Sequence, residues 1–246
     1  MPSAIALKGI LRADGIRLRR DRFLLGITVY LLAVSLAMRW AVPWITSGAE
    51  ARWGFDLAPY HALLMSWVLV QLAPQLVGIL GAFLLLEAKE DRMVKAQLVA
   101  PVPLGSYLWV VGSVMLGAAA VLIVVEAAII GIALPPWPAL LGIAVAGAPA
   151  AGGFAFFTAA VAQDKTQAMA YLKILGNAPF VATGAYFVAE PWQWLAGVYP
   201  PYWAVKAYWV AEAGSDAWPI WVLGGLLMSA LWLVALVRMY TRAARR

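Results

Sequence analysis

The sequence predicts an all-α integral membrane protein, and three observations predict it. First, 64% of the 246 residues are hydrophobic and only 12% are charged, about half the charged share of an ordinary soluble domain. A soluble core of this size cannot hide that much apolar surface, so lipid has to act as part of the solvent. Second, the apolar residues gather into six runs, each longer than the roughly 20 residues a helix needs to cross a hydrocarbon core of about 30 Å. Third, the cations outside those runs fall mostly on one side. The resulting reading is a single transmembrane domain over residues 1–246. It has six transmembrane helices, an N-terminal amphipathic interfacial helix, and a re-entrant external helical segment before the last span.

Residues 1–22 carry Lys8, Arg12, Arg17, Arg19, Arg20 and Arg22, interspersed with Ile5, Leu7, Ile10, Leu11 and Leu18. That pattern suits a basic helix lying on the inner membrane face. The first span is expected over about 23–45, with Pro43 and Trp44 marking its outer end. The second runs over about 59–86 and is expected to kink at Pro74, which has no N–H to give its helix. The third covers about 106–134, and the run Pro135-Pro136-Trp137-Pro138 then forces a tight external turn. The fourth covers about 139–162. Within it Ala144, Ala148 and Gly152 recur every four residues, as do Gly147 and Ala151. Such small faces let helices approach closely, either within one bundle or at a dimer seam. The fifth, about 168–188, is interrupted by Asn177 and Pro179, which read as a kink device, and the sixth covers about 218–239.

Between the last two spans lie Trp192, Trp194, Tyr199, Tyr202, Trp203, Tyr208 and Trp209, with Pro191, Pro200 and Pro201. Two short helices are expected there, about 191–197 and 202–213, resting in the outer interface or dipping into it. An ordinary aromatic anchoring belt explains the same composition.

Six spans put both termini on one side, and charge says which. With the N-terminus inside, 15 of the 18 lysines and arginines lie in inner segments or at inner helix ends, and only Arg39, Arg52 and Lys206 lie outside. Cations are retained on the cytoplasmic side, so both termini are expected in the cytoplasm of a bacterial cell, with the chain in its plasma membrane. The net charge of +6 then reflects topology and does not call for nucleic acid.

Several chemistries are excluded. There is no cysteine and one histidine, His61, so neither a thiolate nor a histidine-built metal site is available; His61 reads as an interfacial structural residue. No phosphate-cradling Gly-x-x-x-x-Gly-Lys-Ser/Thr loop occurs, and no His-Glu-x-x-His pair or Gly-x-Ser-x-Gly elbow. The chain is therefore read as a non-enzyme with no cofactor of its own.

Few polar side chains lie at membrane depth. Glu126 falls about eight residues before the expected outer end of span three, or roughly 12 Å along the axis. A carboxylate there is costly unless it meets protein or water, and it reads either as functional or as a packing contact to a neighbouring helix. Gln71 and Gln75 share a face of span two beside Pro74; they either bond across helices or line a wet path. By rise counting, Gln71 lies about 16 Å and Gln75 about 22 Å from the outer end. This places Gln71, Gln75 and Glu126 on a staggered translocation path, to which Asn177 is added as a candidate.

The stretch after span two, from Glu87 through Lys89, Glu90, Asp91 and Arg92 to Leu98, Pro101, Tyr107 and Leu108, resembles the first cytoplasmic loop of ABC-2 type exporter permeases. There an acidic–basic stretch leads into a short helix, a Pro-containing turn and a Tyr-Leu entry to span three. Arg92 and Met93 depart from the Gly-Thr common in that family. The segment Pro200-Pro201-Tyr202-Trp203 is similar to the family's Pro-Tyr-Trp region, and the layout matches along the whole chain. The nearest branch is that of bacterial drug exporters, including permeases labelled as fluoroquinolone exporters. The resemblance implies a permease subunit moving a hydrophobic or amphiphilic molecule, a drug or a lipid, outward. It implies partners as well: a second permease chain, identical or homologous, and two cytosolic ATPase subunits that bind ATP and magnesium. Glu87, Lys89, Glu90, Asp91 and Arg92, with Asp164 and Lys165 in the other inner loop, are the expected ATPase-coupling residues. The alternative is a proton-coupled secondary transporter using Glu126.

Overall fold

The computed structural model describes residues 22–90 and 104–244. The expected interfacial helix lies outside them, as does the loop bearing Asp91 and Arg92. All regular structure among the described residues is helical. Five helical stretches are long and apolar enough to cross a membrane: Val29–Trp53, Ala58–Lys89, Gly105–Ile130, Trp137–Val161 and Trp218–Ala243.

Helix α1 (Arg22–Trp53) carries Pro43 in its interior and runs on past it, so Pro43 and Trp44 do not end the helix as expected. A proline in a membrane helix removes one hydrogen bond without forcing a stop. Its side chains tie it to two neighbours: Arg39 Nη1 donates to the Ile129 carbonyl at 2.7 Å, and Thr46 Oγ1 lies 2.8 Å from His61 Nε2. His61 thus sits in a helix–helix contact.

The second stretch is continuous but not uniform. A 3₁₀ turn (Ala58–Tyr60) leads into α2 (His61–Met65), a π-helical stretch (Ser66–Leu72) and α3 (Ala73–Glu90). The Ala73 N–H reaches back five residues to the Val68 carbonyl. The expected disturbance at Pro74 is present as this wide turn, lying just ahead of the proline. It presents Val68, Leu69, Val70 and Gln71 to the interior.

Helix α4 (Leu104–Ile130) stops earlier than the prolines suggested. Gly131 takes φ +69°, its N–H bonds the Ala127 carbonyl at 2.9 Å, and Ala133 also has positive φ. The left-handed glycine caps the helix, and Pro135 and Pro136 follow in the turn. Glu126 therefore lies four residues from the helix end, about 6 Å, and not the 12 Å expected.

Helices α5 (Trp137–Gly147) and α6 (Pro149–Val161) join through Ala148, which keeps helical dihedrals. The small residues of this stretch are consumed inside the chain. A Cβ on Gly78 of α3 would lie 2.6 Å from the Ala151 carbonyl oxygen, and one on Gly152 would lie 2.8 Å from Leu233 Cδ2. Helix α6 is thus wedged between α3 and α11 (Trp218–Ala244).

The expected fifth span is in pieces: α7 (Lys165–Leu175), a turn at 176–178, α8 (Pro179–Gly184) and a 3₁₀ turn (Ala185–Phe187). At 11 residues, α7 alone is too short to cross. Asn177 Nδ2 donates to the Lys173 carbonyl at 3.1 Å, closing the end of α7. The assembled segment still runs the length of the bundle. Lys165 at its start pairs with Glu87, and the Tyr186 hydroxyl near its finish donates to the Pro59 carbonyl.

The aromatic segment folds as a hairpin of helices. Its first arm is α9 (Glu190–Gln193) with a 3₁₀ turn (Trp194–Val198); its second is α10 (Pro201–Glu212). Contacts of Lys206 with Glu190 and Gln193, and of Trp203 with Gly197, set the arms antiparallel. The tip, Tyr199-Pro200-Pro201, shares a cavity with Pro149 and Ser229. Those residues lie about 18 Å and 16 Å along their helices from Trp137 and Trp218. Near the other end of α10, the Tyr208 hydroxyl donates to the Ala133 carbonyl at 2.9 Å. Tyr202, Ala204, Val205, Ala207 and Tyr208 are all buried. The second arm is therefore an interior element, contrary to a helix resting on an interface.

The outside of the bundle is apolar. Val29, Trp40 and Trp44 of α1, Trp109 and Val121 of α4, and Ile220, Leu223, Leu227 and Leu231 of α11 are all exposed. Hydrocarbon surroundings make such a surface stable where water would not.

Candidate functional site

Two regions gather the polar side chains singled out in the sequence. The first is at the end of the bundle holding residues 162–164. Lys165 Nζ lies 2.7 Å from Glu87 Oε1, and Lys89 Nζ donates to the Ala162 carbonyl at 3.2 Å. Asp164 caps α7 by accepting the Gln167 N–H at 2.8 Å, while the Gln167 side chain accepts the Gln163 N–H. A capping arrangement of this kind satisfies donors that the first turn of a helix leaves open. Four of the expected coupling residues, Glu87, Lys89, Asp164 and Lys165, thus converge on one corner. Glu90 closes α3 beside them.

The second region is interior. Gln71, presented by the π-helical stretch, donates from Nε2 to Thr183 Oγ1 at 3.1 Å, and Thr183 in turn donates to the Pro179 carbonyl. The Oε1 atom of Gln71 is buried without a partner among the described residues. Gln75, one turn along, is buried and lies next to Gly176. Both glutamines therefore face the broken crossing, where the α7–α8 joint interrupts the backbone ladder. Asn177, at that joint, is exposed and bonded within its own turn; it does not join the glutamines.

Glu126 is fully buried on α4, and neither carboxylate oxygen has a partner among the described residues. A buried polar group without a partner is expensive, and such an intramembrane group is by default a functional candidate. Val70 and Ile123 both pack on Gly147, which sets them at about one level. Glu126 is one turn beyond Ile123, about 4.5 Å, and Gln71 is a single residue the other way. With Gln75 four residues beyond Gln71, the polar groups span about 12 Å, slightly more than the roughly 10 Å that rise counting from the expected helix ends implied, and they remain staggered.

Sequence reasoning missed the best-connected polar site. Lys206 is nearly buried, and its Nζ donates to Glu190 Oε1 at 2.6 Å and to Gln193 Oε1 at 2.7 Å. The ammonium also lies over the Trp221 ring, 5.6 Å from its centre, a favourable placement for a cation. Trp194, Trp203 and Trp221 pack mutually with ring centres 5.2–5.7 Å apart. Trp209 Nε1 donates to Ser66 Oγ at 2.8 Å, linking α10 to the π-helical stretch. The available signal was a lone lysine inside an aromatic run, sixteen residues after an equally isolated Glu190. Thr183 carried no signal in sequence.

Residues 14–237 match the family described as "Fluoroquinolones export permease protein Rv2686c-like". Two Mycobacterium tuberculosis proteins, from strains CDC 1551 / Oshkosh and ATCC 25618 / H37Rv, are each named a fluoroquinolones export permease protein. Each is 28% identical over 239 residues, covering 95% of this chain and 93% of the relative. No solved structure matches the chain.

Proposed function

This chain belongs to the fluoroquinolone export permease family and is a multi-pass membrane protein of transport, and from that premise we propose that it is the transmembrane subunit of an ATP-driven exporter. It moves a drug-like amphiphile outward across the bacterial plasma membrane. The energy comes from two cytosolic ATPase subunits that bind ATP and magnesium, and a second permease chain completes the path. In this reading the broken segment 165–187 is the fifth of six crossings. The 190–212 hairpin is re-entrant from the outer side, and both termini are cytoplasmic. The ATPases dock on the corner of Glu87, Lys89, Asp164 and Lys165, continued by Glu90, Asp91 and Arg92.

One observation supports the path most directly. Glu126 is a carboxylate buried in a helix apolar enough to cross a membrane, with both oxygens unpartnered among the described residues. A passing cationic or zwitterionic group is a partner of the right sign. The orphan carboxylate suits a proton-coupled carrier equally well, and the requirement for a partner ATPase separates the two.

The test is transport in proteoliposomes holding the permease with and without its ATPase. ATP-dependent export of a fluoroquinolone is expected only with both. Glu126→Gln should slow export of cationic and zwitterionic substrates by about tenfold, the scale of one charged hydrogen bond, and leave neutral ones nearly unchanged. Export driven by a proton gradient without any ATPase would instead establish the carrier reading. Equal export of all substrates by Glu126→Gln would remove Glu126 from the path.

A further inference from the structure

Helices α6 and α11 leave a groove between them that changes character along its length. At mid-depth it widens into a cavity of about 270 Å³ beneath the hairpin tip, where Gly153, Phe157, Trp232 and Leu236 line it and no lining residue is charged. Toward the end of the bundle that holds the Glu87–Lys165 pair, it opens into a second recess. There Ala160, Val161, Ala235 and Met239 form the apolar lining, and Arg238 and Arg242 add charge. The two recesses lie along one stripe. Ala160 follows Phe157 by three residues, and Ala235 follows Trp232 by three, the spacing of neighbours on one helix face. The stripe is open to the surroundings of the bundle, since Trp232 and Ala235 are both exposed.

We infer that this groove holds one anionic phospholipid as a lasting ligand, with its phosphate on the Arg238 and Arg242 guanidinium groups and one acyl chain running between α6 and α11 into the cavity. The inference goes beyond the export reading and does not depend on it, because the lipid is not the cargo. Three observations carry it. The first is charge. Arg238 and Arg242 are exposed, lie one turn apart, and form no ion pair among the described residues. Guanidinium groups match phosphate in geometry, and basic recesses between membrane helices suit anionic headgroups. A zwitterionic headgroup brings its own ammonium against two unpaired cations. The second is depth. Ser229 lines the cavity, and Arg238 lies nine residues further along α11, about 14 Å. One leaflet is half of a hydrocarbon core of about 30 Å, or about 15 Å, so a chain anchored at Arg238 ends at the cavity. The third is capacity. The cavity is smaller than the roughly 300 Å³ at which drug-sized sites begin, so one chain enters and the second stays in the bilayer. A soluble phosphate would meet the arginines and leave the apolar part unfilled.

Both ends of the site can be tested on the full chain alone. The purified chain in detergent is given equal amounts of phosphatidylglycerol and phosphatidylcholine with the same acyl chains, and retained lipid is counted by native mass spectrometry. The parent should retain one phosphatidylglycerol with a preference of at least about tenfold, the scale expected of two arginines at an anionic headgroup. Arg238→Gln with Arg242→Gln should abolish that preference. Lys173→Gln removes one exposed cation that does not line either recess and should leave the preference unchanged. Gly153 lines the cavity, and a Cβ there would meet nothing within 4 Å. Gly153→Leu should therefore fold, fill the chain end of the site, and lower retention of phosphatidylglycerol about fivefold. Thermal unfolding identifies a Gly153→Leu chain that has failed to fold, in which case the arginine variant decides. Equal retention of the two lipids by the parent would overturn the inference. So would a preference that survives loss of both arginines, or one that Lys173→Gln reduces as much as they do, since that reads net charge and not a site. Release of the lipid by millimolar glycerol phosphate would make the recess a soluble-phosphate site instead. Unchanged retention by a folded Gly153→Leu chain would take the acyl chain out of the cavity and overturn the inference as well.

Discussion

The two halves of this bundle are held together by different means. In the half containing the hairpin, a nearly buried ammonium is bonded by Glu190 and Gln193, Tyr208 is bonded to the Ala133 carbonyl, and Trp209 to Ser66. Three tryptophans pack between the hairpin and α11. In the opposite half, the Glu87–Lys165 pair is about half exposed on each side. Lys89 and Tyr240 each hold a single backbone carbonyl, of Ala162 and Leu85. Charged contacts at an open surface are worth little, and the same contacts out of water are costly to break. The hairpin half is therefore the rigid one, and the half at the expected ATPase corner is where a small push can rearrange contacts. The proposed drive by cytosolic ATPases calls for that asymmetry.

The comparison breaks most readily at the tryptophan cluster. A side chain on Gly224 would collide with the Trp203 ring. Gly224→Leu should therefore expel Trp203 from between the hairpin and α11, at a cost of about 1–3 kcal/mol, seen as a lower thermal midpoint in nanodiscs. An unchanged midpoint would mean that the hairpin is loosely seated.

A second probe separates burial from charge in the same pair. Glu190→Ala leaves the Lys206 ammonium buried with Gln193 as its remaining acceptor among the described residues, which should cost about 1–2 kcal/mol. The estimate is at the low end because Glu190 is itself 72% exposed. Lys206→Met removes the buried charge and leaves Glu190 in solvent, so it should cost less than Glu190→Ala. Thermal midpoints of the two variants rank them; the reverse order would place Lys206 in water.

The smallest effect is expected in the other half. Glu87→Ala or Lys165→Ala should change stability by no more than about 0.5 kcal/mol. If the proposed ATPase docking holds, substrate-stimulated ATP hydrolysis in the complex should nevertheless fall. Loss of stability with intact coupling would reverse that assignment.

Much of the fold was legible because hydropathy and length decide which segments can cross a bilayer, and five of the six expected spans stand as helices of adequate length. The break at Asn177 and Pro179 was legible for the same local reason. What was not legible depended on tertiary contact. The Trp- and Tyr-rich segment 192–209 reads equally as an interfacial belt and as a buried arm, since both environments favour an apolar ring with a polar edge. Only the partners of Trp203, Lys206 and Tyr208 decide between them. The end of α4 was misplaced because Gly131, with positive φ, stops the helix before the prolines do. Small residues at 144–152 announced close packing but not which neighbour would use it; α3 and α11 do. Among the site residues, Gln71, Gln75 and Glu126 were visible as polar letters in apolar runs. Thr183 was invisible, because its bond to Gln71 follows from how the broken crossing packs on the π-helical stretch.

Hydrogen–deuterium exchange of the full chain in lipid nanodiscs tests the central claim most directly, because it reads the two halves in one experiment. Interior, well-bonded elements open rarely, whereas surface-held ones open often. The amides of Tyr202–Ala211 in α10 should exchange at least about tenfold more slowly than those of Gln167–Leu175 in α7. Exchange in α10 as fast as in α7 would contradict a locked hairpin and return the aromatic segment to the membrane surface.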